Sequence, residues 1–172
     1  MKRSIFTTGT DTGVGKTVVT GLLGRFLIEK RIDVITQKWV QTGCEGFSDD
    51  VAFHLELMGK TEKDIGPYLS DVTPYVLDFP SSPHLAAQLE GKHIDAKRIE
   101  ESFYNLQKEF EVVLVEGAGG LMVPINEEKI MIDIVKKLNL PVLVVTENKL
   151  GAINQTVLTV EALRKRDMQI IG

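Results

Sequence analysis

Short apolar runs alternate with stretches of helical period along nearly the whole chain. Residues 5–8, Ile-Phe-Thr-Thr, are β-branched and aromatic and predict a buried strand. Val18, Val19, Leu22, Leu23, Phe26 and Leu27 then recur at helical spacing and predict a helix over 15–30. A second strand is expected at 33–37, with Lys38 at its C-terminal end, and residues 39–43 lead into a loop at 44–47. Ser48 or Asp49 reads as the cap of a helix over 51–58. Residues 60–82 are the least regular part, with a short strand at 73–77 and a Pro-rich loop at 79–84. A helix follows at 84–89, with Pro83 in its first turn. Asp95 caps a helix over 96–108 whose Ile99, Phe103 and Leu106, with Phe110, fall on one face. Residues 110–115 form the clearest central strand; 121–124 are extended and apolar, with side chains expected in the core. A helix at 130–138, a strand at 140–146 with Pro141 near its start, and a helix at 151–166 complete the pattern. Residues 168–172 read as a strand that has only begun, so a missing C-terminal segment is expected.

Three stretches carry chemistry. Between the first strand and first helix lies Gly9-Thr-Asp-Thr-Gly-Val-Gly-Lys-Thr17. A strand, a Gly-rich loop, Lys-Thr and a helix wrap backbone N–H groups around phosphate oxygens, with Lys16 reaching the β/γ-phosphates and the Thr17 hydroxyl on Mg²⁺. The strict phosphate-loop pattern wants Gly six positions before its Lys; Thr10 stands there, and Gly9 comes one residue early. The second stretch is the strand ending in Glu116, followed by Gly117-Ala118-Gly119-Gly120. In a phosphate-loop protein, an acid closing a hydrophobic strand helps hold Mg²⁺. The third is Lys38, at the strand end where open α/β sheets place ligands. Asp49 and Asp50 serve equally as caps or as ligands, and the helix start at 151–154 as an anion site or a water-capped end. His54 has no partner spaced for a metal site and reads as an ordinary helical histidine.

Strand and helix alternate throughout, so the expected fold is α/β. It is a doubly wound, mostly parallel sheet with helices on both faces, of the P-loop NTPase kind, in a single domain. A net charge of −4 suggests no nucleic-acid partner. The one cysteine, Cys44, excludes a disulfide framework or zinc cluster. No apolar run approaches the roughly 20 residues of a membrane span. Met1-Lys2-Arg3-Ser4 leads into a strand and not a signal-peptide core, so the chain reads as cytoplasmic.

Taken together the motifs resemble the dethiobiotin synthetase family. The residues that carry the resemblance are Gly9 to Thr17, Lys38-Trp-Val-Gln-Thr-Gly43, Ser82-Pro-His-Leu-Ala-Ala87, Val115-Glu-Gly-Ala-Gly-Gly120 with Val123-Pro124, and Leu150-Gly-Ala-Ile-Asn154. The early Gly9 is what that family's own loop has. Two departures stand out: Trp39 occupies a position that is commonly Pro, and the chain ends before the portion that helps hold adenine in the family. The resemblance implies ATP-dependent ring closure of 7,8-diaminononanoate with CO₂ to dethiobiotin, ADP and phosphate. By the same resemblance Lys16 and Lys38 are catalytic. Gly13, Val14, Gly15, Lys16, Thr17, Val18, Asp50, Glu116, Gly117, Ala118 and Gly119 bind MgATP, and Thr17, Asp50 and Glu116 organise the metal. Thr12, Lys38, Thr42 and Gly151, Ala152, Ile153 and Asn154 bind substrate, the last four from a neighbouring subunit, which implies a homodimer with sites at the interface. Two other readings stay open. One is a nucleotide-switched partition-type ATPase, which usually has an additional lysine early in the loop, where this chain has Asp11. The other is a module detached from an amidotransferase, for which no glutaminase residues are seen.

Overall fold

The computed structural model describes residues 3–172; Met1 and Lys2 lie outside it. The chain runs β1 (Arg3–Gly9), α1 (Lys16–Glu29), β2 (Val34–Lys38), β3 (Val40–Thr42), α2 (Asp49–Met58), a 3₁₀ segment (Glu62–Tyr68), α3 (Leu69–Val72), β4 (Tyr75–Leu77), α4 (Pro83–Leu89), α5 (Ala96–Glu109), β5 (Val112–Glu116), α6 (Met131–Lys137), β6 (Val142–Val145) and α7 (Ala152–Arg164). The main sheet has the order β2-β5-β1-β6 and every neighbouring pair is parallel. The fold is therefore the expected α/β arrangement.

Side chains alternate across each strand, and the two faces bury separate cores. Phe6, Ile35, Val113 and Val115 join Trp39 and the apolar sides of α5 and α6 on one face. Val34, Val112 and Leu114 pack with Met58 of α2 and Leu23 and Leu27 of α1 on the other. The register pairs Val34 with Val112 and carries the strands forward until Lys38 lies beside Glu116. Both side chains share parity with Val34 and Val112, so they emerge on the face covered by α1 and α2. That parity decides the composition of the site.

Several expectations are corrected. Residues 40–42, read as the lead into a loop, form β3, and β4 pairs with it in a separate two-stranded parallel sheet. The short strand near residue 75 therefore extends this second sheet and not the first. Trp39, fully buried between β2 and β3, fixes the junction: its Nε1–H donates to Gln37 Oε1 at 3.0 Å and its ring centroid lies 5.0 Å from that of Phe6. Residues 121–124 are not uniformly core: Leu121 is buried, Met122 is exposed, and Pro124 bridges Ile130. The final residues do join the sheet edge, with Ile171 N–H donating to Val142 and Val144 N–H to the Gly172 carbonyl.

Candidate active site

A cleft of about 660 Å³ opens at the C-terminal ends of β1, β2 and β5. Gly13, Gly15, Lys16 and Thr17 line one side; Lys38, Gln41, Thr42 and Asp50 line another, with Glu116, Ala118 and Gly119 completing the floor. The loop before α1 turns on two left-handed glycines, Gly13 at φ 76° and Gly15 at φ 99°. Helix α1 begins at Lys16, so its first N–H groups have no intrahelical acceptor, an arrangement suited to anions.

The early glycine has a structural explanation. A Cβ at Gly9 would lie 2.7 Å from the Asp11 carbonyl oxygen, 2.8 Å from Val14 Cγ2 and 2.9 Å from Lys16 Nζ. The loop folds back over the end of β1, and only a residue without a side chain fits beneath it. Thr10 needs no such freedom; its N–H donates to Val145 at 3.0 Å and its hydroxyl to Thr146 Oγ1 at 3.3 Å, which ties the loop to β6. Lys16 is buried and its ammonium donates to the Asp11 carbonyl at 2.9 Å. Burial, with the Lys38 charge nearby, lowers its pKa from the ordinary lysine value.

Beside the loop a compact ionic network forms. Lys38, only 4% exposed, places its ammonium 2.6 Å from Asp50 Oδ2 and 2.7 Å from Glu116 Oε1, and donates to the Gly117 carbonyl at 3.1 Å. The Thr17 hydroxyl stands 3.1 Å from Asp50 Oδ1 and 3.2 Å from Glu116 Oε1. Burial alone would raise the Glu116 pKa, but the Lys38 ammonium and the His54 hydrogen bond bring it down to about 2. Burial likewise opposes the Lys38 charge, and the two carboxylates more than reverse that, so its pKa is raised. Asp50 faces this network, while Asp49 is exposed.

The donor set fits a small hard cation. One hydroxyl and two carboxylates converge, and Mg²⁺ in nucleotide sites takes one or two carboxylates and leaves its other positions to phosphate and water. Among the described residues no group of three or more His, Cys, Asp or Glu gathers as a dedicated cage.

The remaining sequence candidates are placed as follows. Val14 is buried under the loop, and Val18 is largely exposed on α1. Gly117 passes so close to Phe6 that a Cβ would sit 2.7 Å from its ring. Residues 151–154 do not reach the cleft: Gly151, Ile153 and Asn154 are exposed, and Ala152 and Ile153 border a separate, shallower depression with Thr146 and Glu147.

Several contributors were given no site role from the sequence. Pro80, Ser81, Ser82 and Pro83 line the cleft, and His84, whose Nδ1 lies 3.2 Å from Ser82 Oγ, steadies that loop. Val40 and Val123 also line it. Gln41 Oε1 accepts from Ser48 Oγ at 2.7 Å, and so fixes the capped start of α2 and with it Asp50. His54 is fully buried, with Nε2 2.7 Å from Glu116 Oε2. Their signals were weak: a Pro-Ser-Ser-Pro loop and a histidine at a core position of a helical pattern.

Fold, phosphate loop and acid-terminated strand define a P-loop nucleotide-binding α/β protein. A protein-family model described as an AAA domain matches residues 3–172. A ParA family ATPase from Chlorobium tepidum TLS superposes with a TM-score of 0.56 at 13% identity, covering 99% of this chain and 71% of that one, a likeness of fold alone. Sequence relatives are more specific. ATP-dependent dethiobiotin synthetase BioD 2 of Haemophilus influenzae is 44% identical over 100% of this chain and 90% of its own length. ATP-dependent dethiobiotin synthetase BioD of Chlorobaculum tepidum is 46% identical over 94% of this chain and 67% of its own. The chain belongs to the dethiobiotin synthetase family.

Proposed function

We propose that the protein converts 7,8-diaminononanoate, CO₂ and ATP into dethiobiotin, ADP and phosphate. The observation that carries this reading is the pairing of two buried lysines, Lys16 and Lys38, at one cleft with Thr17, Asp50 and Glu116. The reaction brings a carbamate up to a triphosphate, and both are anions. Fixed positive charge in a partly dry cleft offsets that repulsion far better than water does.

One substrate amine adds to CO₂, loses a proton and becomes a carbamate. A carbamate oxygen then attacks the γ-phosphorus, the bond to ADP breaks, and a mixed carbamic–phosphoric anhydride forms. The second amine attacks the anhydride carbonyl and loses a proton, phosphate leaves, and the ureido ring closes. Lys16, with the N–H groups of Gly13, Val14, Gly15, Lys16, Thr17 and Val18, holds the phosphates. Gly117, Ala118 and Gly119 let backbone approach the ligands. Lys38 leaves its carboxylate partners to hold the carbamate, while Thr12 and Thr42 orient it and the amine. Thr17, Asp50 and Glu116 would hold Mg²⁺, which would supply charge neutralisation at the phosphates. Catalysis on this scheme is positioning plus electrostatics.

The substrate's remote carboxylate fits the start of α7, residues 151–154, which is exposed and away from its own cleft. A homodimer that presents this helix start to the partner's cleft is part of the proposal, as are a single nucleotide-binding domain and a cytoplasmic site of action. Among the described residues no helix is long and apolar enough to cross a membrane. Against the switch ATPase stands Asp11, at the loop position where that group carries a lysine. The test is to mix protein, MgATP, bicarbonate and 7,8-diaminononanoate and assay dethiobiotin and ADP. Matched formation of both is expected; ATP turnover indifferent to the diamine would overturn the reading.

A further inference from the structure

The histidine on α2 is not used in that scheme, yet it occupies a position that physical chemistry makes expensive. His54 shares the buried face of α2 with Val51, Leu55 and Met58 and is itself fully buried. An apolar side chain would fill such a position without desolvating a polar ring. The ring is matched to one partner, Glu116 Oε2, at 2.7 Å. A carboxylate only accepts, so Nε2 carries the proton and donates it. Nδ1 has no hydrogen-bond partner among the described residues.

The two oxygens of Glu116 thereby have different duties. Oε2 is held by His54, while Oε1 faces Lys38 Nζ at 2.7 Å and Thr17 Oγ1 at 3.2 Å. With Oε2 tied, the carboxylate neither rotates about its last bond nor swings both oxygens into the cleft. Asp50 lies one turn before His54 on the same helix and directs its own oxygens at Lys38 and Thr17. The His54–Glu116 bond thus ties α2 to the end of β5 and sets the separation between the two carboxylates.

We propose that His54 is a positioning residue for divalent-cation binding: it fixes Glu116 to present Oε1 alone and sets the Asp50–Glu116 gap for a small cation. This rests on the proposed Mg²⁺ role of Thr17, Asp50 and Glu116. Hydrogen-bond partners that orient metal ligands are commonly worth about 10- to 100-fold in metal affinity.

The test is calorimetric titration of ADP at a series of Mg²⁺ concentrations, with an EDTA baseline, backed by electron paramagnetic resonance of Mn²⁺. His54→Leu keeps an apolar filling but removes the donor; it should need about 10- to 100-fold more Mg²⁺ for the same ADP affinity, with the EDTA baseline unchanged. His54→Gln, whose Nε2 reaches the same place, should stay within a few fold of wild type by the same standard. If His54→Leu lowers thermal stability but leaves the Mg²⁺ and Mn²⁺ dependence untouched, His54 only packs, and the proposal fails. If wild type itself binds ADP with no Mg²⁺ dependence, the metal role of Thr17, Asp50 and Glu116 fails and takes this one with it. Should His54→Leu not fold, His54→Asn, too short to donate to Oε2, replaces it. Equal Mg²⁺ dependence of His54→Asn and His54→Gln then overturns the proposal.

Discussion

Replacing Lys38 with Met keeps most of the side-chain length and removes the ammonium. That ammonium stands 2.6 Å from Asp50 and 2.7 Å from Glu116, and the Glu116 side chain is 1% exposed. Removing one partner of a buried pair leaves the other charge uncompensated, which costs about 3–5 kcal/mol. An independent figure comes from Glu116: a carboxyl held at about 2 in place of 4.5 corresponds to roughly 3 kcal/mol, part of it owed to His54. Lys38→Met should therefore lose on the order of 3 kcal/mol at pH 7. In urea that is a fall in midpoint of roughly 1–2 M, with the slope unchanged. The sign with pH follows from the depressed folded value of Glu116. Its stabilisation is complete above the ordinary value of 4.5 and disappears as the pH falls toward about 2. The gap between wild type and Lys38→Met should narrow over that interval. Mg²⁺ should stabilise the variant more than wild type, because two carboxylates then lack their ammonium. A loss below about 1 kcal/mol at pH 7, or a gap that stays constant down to pH 2, would show that Lys38 is solvated and unpaired, and the reasoning would be wrong.

Three further changes test other parts of the site. Lys16→Ala should weaken nucleotide binding about 10- to 100-fold by calorimetry, the worth of a charge-assisted hydrogen bond; unchanged binding would remove Lys16 from the phosphate site. Gly9→Ala puts a methyl 2.7 Å from the Asp11 carbonyl and 2.9 Å from Lys16 Nζ, so it should cost about 1–3 kcal/mol in thermal melting and lower nucleotide affinity with it; a wild-type melting midpoint would contradict the close approach. Trp39→Phe leaves Gln37 Oε1 without its 3.0 Å donor in the core and should cost about 1–2 kcal/mol in urea denaturation, while a neutral outcome would mean that Gln37 finds another partner.

Much of this architecture was legible in the residue pattern because local signals agreed with the global fold. Residues 112–115 are a continuous apolar run closed by Glu116, and such a run suits the centre of a parallel sheet. The Gly-rich loop was legible for the same reason: its glycines sit where the backbone turns left-handed or passes beneath Lys16. What stayed hidden depended on register and on packing between distant elements. Residues 40–42 are too short and too polar to announce a strand, and they become one only because 75–77 arrives beside them. His54 reads as an ordinary helical histidine until α2 is laid on the sheet face that bears Glu116. Lys38 and Glu116 were each suspect as strand ends, but their shared face follows from the pairing of Val34 with Val112, which no single segment encodes. Likewise the start of α7 is exposed because the cleft forms without it, which the local sequence does not encode.

The role given to Lys38 is tested most directly by following the carbamate itself. Wild type and Lys38→Met would be mixed with 7,8-diaminononanoate and ¹³C-bicarbonate in the absence of ATP and examined by carbon NMR. A bound carbamate resonance is expected for wild type and its loss for Lys38→Met, with ADP still bound by the variant in a parallel titration. Equal carbamate signals from the two proteins would contradict the idea that the Lys38 ammonium holds the anion that ATP goes on to activate.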